Sequence, residues 1–187
     1  MTSIFFVRHA QPDEKWTDDR TKPLTAIGLQ DSKRVTEALE NVRIDYFYSS
    51  PYKRSIDTIK DCADKRKMQV HTDERFRERK RGINADAFLE KRWEDFSICE
   101  ENGECLASVQ QRNMEALTEI LRKHPDKNIV IGTHGTALST ILHYYDPGFG
   151  CDGFRDIWFC MPYIIRLDFD GERLINKTEI LRIERGY

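Results

Sequence analysis

Apolar residues recur along this chain in two rhythms. Short, nearly unbroken runs fall at residues 3–7 (Ile4-Phe5-Phe6-Val7), 45–49, 69–72 and 128–133 (Ile129-Val130-Ile131). Brief β-branched and aromatic runs of this kind predict strands buried in a sheet. Between them, apolar residues fall at helical spacing. One helix starts at Leu24-Thr25, with Thr25 as its cap and Leu29, Val35, Leu39 and Val42 as its stripe. The next takes Pro51 in its first turn, where a missing N–H costs nothing, and runs to about Arg66 with Ile56, Ile59, Cys62 and Ala63 inward. Residues 85–95 carry Phe88, Leu89 and Trp93; residues 106–124 carry Val109, Met114, Leu117, Ile120 and Leu121, with Pro125 as the stop; residues 136–145 follow as a last helix. Residues 11–22, 76–84 and 147–153 read as loops. Residues 162–169 and 174–183 alternate on either side of Asp170-Gly171, a hairpin signal. Strands alternating with helices, then a closing hairpin, predict a three-layer α/β/α sandwich around a mostly parallel mixed sheet, in one domain spanning residues 1–187.

Charge narrows the partners. The chain holds 30 Lys and Arg against 32 Asp and Glu, a net charge of -2, so neither nucleic acid nor an anionic membrane is favoured as a main partner. No apolar stretch approaches the roughly 20 residues that span a bilayer. Met1-Thr2-Ser3 lacks a basic segment, and the run after it is too short for a secretory signal. The five cysteines are odd in number and irregularly spaced, which suits a reducing compartment and a cytoplasmic location; Cys99 and Cys105 are the pair that could bond. No HExxH or CxxC spacing marks a metal, and Gly132-Thr133-His134-Gly135-Thr136 lacks the Gly-Lys-Ser/Thr ending of a nucleotide-binding loop. No cofactor is expected.

Chemistry concentrates at two strand ends. Arg8-His9 follows the first apolar run and His134 follows the fourth. Ligands of open α/β sheets bind at the carboxyl edge of the strands. A guanidinium and two imidazoles delivered there suit an anionic substrate, and phosphoryl chemistry is the first reading.

Four separated pieces resemble the histidine phosphatase superfamily, the group that includes the phosphoglycerate mutases and many small phosphatases. They are Val7-Arg8-His9-Ala10, Leu24-Thr25-Ala26-Ile27-Gly28, the stretch from Ser49-Ser50-Pro51 through Arg54 to Thr58, and Thr133-His134-Gly135; Gly103-Glu104-Cys105 adds a weaker fifth. The resemblance implies a phosphoglycerate mutase-like fold and a metal-independent hydrolase of acid-phosphatase type acting on a small phosphorylated substrate. It implies that His9 is the nucleophile, forming a phosphohistidine, and that Arg8, Arg54 and His134 grip the phosphoryl oxygens, with His134 also counted as catalytic. A neutral imidazole can attack phosphorus, and a planar guanidinium matches phosphate geometry. The proton donor of the family lies in a loop after the third strand, and Glu78 in Arg77-Glu78-Arg79-Lys80-Arg81-Gly82 fits it; Asp13, Asp18 and Glu104 are the substitutes.

Other residues take plainer readings. The basic run 75–81 reads as a solvated loop, and His71, His124 and His143 as structural. Cys160 and Arg166 share the spacing of a cysteine-phosphatase loop, but the glycine-free segment between them reads as a strand. Ala10 stands where the family has glycine, so its backbone must avoid positive φ. Gln11-Pro12 departs from the mutase pattern, and no long enclosing insertion is present. A phosphatase is therefore favoured, with a phosphoglycerate-type mutase and a non-catalytic phospho-ligand-binding module as alternatives. Specificity is assigned to loops 11–22, 76–95 and 146–153.

Overall fold

The computed structural model describes residues 1–185; the last two residues of the expected 1–187 domain lie outside the described residues. Six strands form one sheet: β1 (Thr2–Arg8), β2 (Tyr46–Ser49), β3 (Val70–Thr72), β4 (Asn128–Thr133), β5 (Cys160–Asp170) and β6 (Arg173–Glu184), in the order β3-β2-β4-β1-β5-β6. The first four are parallel, and the β5–β6 hairpin closes one edge antiparallel. The mixed sheet is the one expected.

Alternation along the strands explains the layers. Ile4 and Phe6 of β1, with Ile129 and Ile131 of β4, pack against helices α4 (Leu106–Lys123) and α5 (Gly135–Tyr145) through Leu117, Ile120, Leu138 and Ile141. Phe5, Val7 and Val130 face the other way and meet α1 (Ala26–Ala38) and α2 (Lys53–Lys65) through Val35, Ile59, Cys62 and Ala63. Both faces are covered, as a parallel sheet requires. Each large apolar side chain fully buried there contributes roughly 1.5–3 kcal/mol.

Several local expectations need correction. Thr25 does cap α1, accepting from Gly28 N at 3.0 Å. The helix stops at Ala38, however, so Val42 lies beyond it, and Leu29 is exposed. The inward face is instead the small and polar set Gly28, Asp31, Ser32, Val35 and Thr36. Close approach explains this: a Cβ on Gly28 would sit 2.3 Å from the Gln11 carbonyl oxygen. Pro51 precedes the Tyr52 cap of α2 rather than entering its first turn. Residues 85–95 divide into a short 3-10 turn (Ala85–Phe88) and α3 (Leu89–Glu94). Part of the expected loop 147–153 is helical, as α6 (Cys151–Asp156).

Cys99 and Cys105 are joined as a disulfide, with Cα atoms 4.7 Å apart. The turn at Glu101 and Asn102, with Asn102 at positive φ, brings them together. Among the described residues three cysteines stay free, Cys62, Cys151 and Cys160; the bonded pair is the one that could form, and it departs from the reduced state that the spacing suggested. Cys160 and Arg166 both lie on β5, and burial pushes the Cys160 thiol up, as the strand reading requires. Among the described residues no helix is long and apolar enough to cross a membrane.

Candidate active site

Sheet register builds the site. Arg8 pairs with Thr133 across β1 and β4, so the next residues, His9 and His134, leave the sheet side by side. Ser49 of β2 pairs with Gly132, which places Ser50 next to His134. The ring centroids of His9 and His134 are 5.2 Å apart, and Ser50 Oγ lies 2.7 Å from His134 Nε2. A side chain at Gly132 would collide with Ser49 Oγ and Ser55 Oγ at 2.7 and 2.8 Å, so the close packing of these strand ends depends on that glycine.

His9 is held in one tautomer. Its Nδ1 lies 2.8 Å from the Ala10 carbonyl oxygen. A carbonyl only accepts, so Nδ1 carries the proton and Nε2 presents its lone pair. Ala10 has ordinary backbone angles, as expected, and its N–H donates to Thr58 Oγ1 at 2.9 Å. Burial, and then the nearby charges of Arg54 and Arg8, hold the His9 pKa well below 6.5. Burial and Arg54 do the same to His134. Both rings are therefore neutral at pH 7.

The cations are buried with them. Arg8 and Arg54 are each 4% exposed. Arg8 donates to the Ile157 carbonyl oxygen. Arg54 donates to the Asp19 backbone oxygen at 2.6 Å, pairs with its carboxylate at 3.0 Å and lies over the Tyr52 ring, 5.0 Å from its centre. Arg8, His9 and Arg54 line one cavity of about 850 Å³, and Glu78 lines it too. His134 is fully buried against His9.

Glu78 is placed by backbone alone. Its Oε1 accepts from Arg79 N at 2.7 Å and Ala137 N at 3.2 Å, and its Oε2 from Thr136 N at 3.0 Å. The last two are open N–H groups of the first turn of α5, where a carboxylate complements the helix dipole. The substitutes are placed differently. Asp13 caps Lys15 N, and Asp18 is an exposed partner of Thr21. Burial raises the Glu104 pKa, but Arg112 and Arg77 outweigh it and hold the carboxyl at about 2. Glu104 is thus a fixed anion under the loop; Arg112, bound to it at 2.9 Å, also donates to the carbonyl oxygens of Arg75, Arg77 and Glu78.

The basic run is not a solvated loop throughout. Arg79 is 5% exposed and pairs with Glu100 at 2.8 Å, while Arg75 pairs with Asp73 and Glu119. Asp73 lies two residues before Arg75, but Glu100 and Glu119 come from other parts of the chain, so the run alone could not reveal those two pairs. Lys22, Asp19, Tyr52, Arg79 and Arg92 also line the cavity and were not singled out individually. His124 bonds Tyr48 Oη at 2.8 Å, and His143 the Phe149 carbonyl at 2.9 Å; neither lines the cavity. Among the described residues no group of three or more His, Cys, Asp or Glu could hold a metal ion.

A fold whose sheet edge gathers two neutral imidazoles and two guanidiniums defines a phosphate-handling class of α/β protein. The chain belongs to the histidine phosphatase superfamily, whose branch 1 model matches residues 4–178. It is 26% identical over 150 residues to phosphoserine phosphatase 1 of Hydrogenobacter thermophilus, covering 72% of this chain and 71% of that one. It is 26% identical over 147 residues to the uncharacterized phosphatase PhoE of Bacillus subtilis, covering 76% of each. Among solved structures, the fold matches a phosphoserine phosphatase of Entamoeba histolytica in complex with 3-phosphoglyceric acid, with TM-score 0.80, 19% identity and 97% and 98% of the two chains covered. It also matches YhfR of Bacillus stearothermophilus, with TM-score 0.76, 23% identity and 94% and 95% covered.

Proposed function

We propose that this protein is a phosphatase that hydrolyses a small phosphomonoester through a phosphohistidine on His9, without a metal. The observation that carries the reading is the state of His9: buried between two guanidiniums, neutral, and with Nδ1–H tied to Ala10 so that Nε2 is the free nucleophile.

In the first half-reaction Nε2 attacks phosphorus and the bond to the ester oxygen breaks. Arg8 and Arg54 stabilise the equatorial oxygens as charge spreads over them. His134 Nδ1, buried and with no hydrogen-bond partner among the described residues, supports a contact to the same group. The leaving alkoxide takes a proton from Glu78. In the second half-reaction Glu78, now a carboxylate, accepts a proton from water as the water oxygen attacks phosphorus and releases His9.

Relatives that carry the name phosphoserine phosphatase, and one bound to 3-phosphoglyceric acid, support a small phosphorylated substrate. Release of inorganic phosphate from a panel of phosphomonoesters, in the presence of a strong chelator, tests the reading. Turnover that outlasts chelation is expected; failure of every ester would refute it. Isomerisation of a phosphoglycerate faster than phosphate release would replace the phosphatase with a mutase.

A further inference from the structure

The cavity has a second half that phosphate chemistry leaves unused. Its volume of about 850 Å³ lies toward the upper end of the roughly 300–1,000 Å³ typical of ligand sites, and a phosphoryl group at His9 would fill only its floor. One wall is apolar: Leu89 from α3, Phe154 from α6 and Trp158 just beyond α6. Phe154 is fixed between Trp93, 5.6 Å away, and Trp158, 4.9 Å away and edge-on. Apolar surface lining a wet cavity gains free energy when a ligand covers it.

Beside that wall is an unbalanced buried charge. Arg79 and Arg92 both line the cavity and both bind Glu100, at 2.8 and 3.1 Å, and the Glu100 side chain is fully buried. Two guanidiniums share one carboxylate, so one positive charge is left over. Arg92 Nε is buried and finds no hydrogen-bond partner among the described residues. The other carboxylates of the outer cavity are committed elsewhere, Asp86 to Arg81 at 2.9 Å and Glu14 to Lys22 at 2.9 Å. A buried cation without its full complement is costly, and a ligand anion would relieve it.

We infer that the substrate is the phosphomonoester of a bulky, flat apolar alcohol that carries a second anionic group. The flat part lies on Leu89, Phe154 and Trp158, and the anion meets Arg92 and Arg79. The inference takes its chemistry from the phosphatase reading above, but its recognition elements are separate residues.

The test compares kcat/KM for four esters of aliphatic alcohols: 4-carboxybenzyl phosphate, benzyl phosphate, 3-phosphoglycerate and glycerol 3-phosphate. Benzyl phosphate should exceed glycerol 3-phosphate by about tenfold or more. The carboxybenzyl ester should exceed benzyl phosphate by about tenfold again. Trp158→Ala should collapse the first ratio and Arg92→Gln the second. Should Arg92→Gln unfold, Arg92→Lys, which keeps Glu100 paired but loses the fork, must still lower the second ratio. Equal kcat/KM across the four esters would overturn the inference and leave the phosphatase reading standing. If no ester turns over, calorimetry with benzylphosphonate and methylphosphonate decides. Preference for the benzyl compound would remove the phosphatase reading and keep the apolar wall as the recognition element of a bound ligand; equal binding, or none, would overturn the inference.

Discussion

The floor of the cavity and its apolar wall are built by opposite means. His9 on the floor, and the fully buried His134 and Ser50 behind the lining, each follow the last residues of adjacent parallel strands, and ladder hydrogen bonds set their spacing. Glu78 hangs from three backbone N–H groups. The wall rests on side chains: two six-residue helices, α3 and α6, an aromatic cluster around Trp93 and Phe154, and a buried Arg79–Glu100–Arg92 triad. Backbone-anchored groups hold a fixed geometry, which the proposed chemistry needs, while a wall of side chains can change with the leaving group.

Substitutions on the floor should break chemistry and spare the fold. His9→Ala should lower turnover by about 10⁴-fold or more, with the thermal midpoint near that of the parent. Glu78→Gln keeps the size and loses the proton, and should cost about 10²–10⁴ in kcat; the loss should be smallest for esters with acidic leaving alcohols, read from a leaving-group series. Arg8→Ala or Arg54→Ala should each cost about 10²–10³.

The wall should answer in stability instead. Glu100→Gln strips the shared anion from two buried guanidiniums and should cost about 3–5 kcal/mol, measured by denaturant unfolding. The kcat for a small ester should fall far less than in the floor variants. A Glu100→Gln protein as stable as the parent would contradict the buried triad.

Acid should distinguish the two regions more gently. Folded His9 and His134 have pKa values depressed below the ordinary 6.5, chiefly by burial. Below pH 6.5 the unfolded chain therefore binds more protons than the folded one, so their contribution is full above that value and is lost as pH falls. Glu100 and Glu104 reach about 2 from an ordinary 4.5. Burial opposes both shifts; the Gly82 N–H and Arg79 overcome it at Glu100, and Arg112 and Arg77 at Glu104. Their contribution is lost between about 4.5 and 2. A thermal midpoint followed from pH 7 to 3 should fall in two stages, and a flat profile from 7 to 5 would contradict neutral buried imidazoles.

The same contrast explains what the sequence made legible. Arg8, His9 and His134 stand at the ends of apolar runs that announce strands, so local pattern placed them, whereas Arg54 and Glu78 were reached only through the family resemblance of their stretches. The triad joins Arg79, Arg92 and Glu100, residues 8 and 21 apart in sequence, and in a chain this rich in charge no local signal distinguishes a buried guanidinium from a solvated one. Helix α6 was hidden because Gly148, Gly150 and Gly153 gave its segment the composition of a loop. The inward face of α1 was misread because contact with the Gln11 backbone selected small and polar residues over an apolar stripe.

The central claim is a covalent bond between phosphorus and His9 Nε2. Rapid quenching during turnover, followed by mass spectrometry under alkaline conditions that preserve phosphohistidine, reads it directly. The account predicts one added phosphoryl group on the peptide that contains His9, absent from His9→Ala and longer-lived in Glu78→Gln. Full turnover with no phosphorylated histidine at any quench time, or the phosphoryl group on another residue, would contradict it.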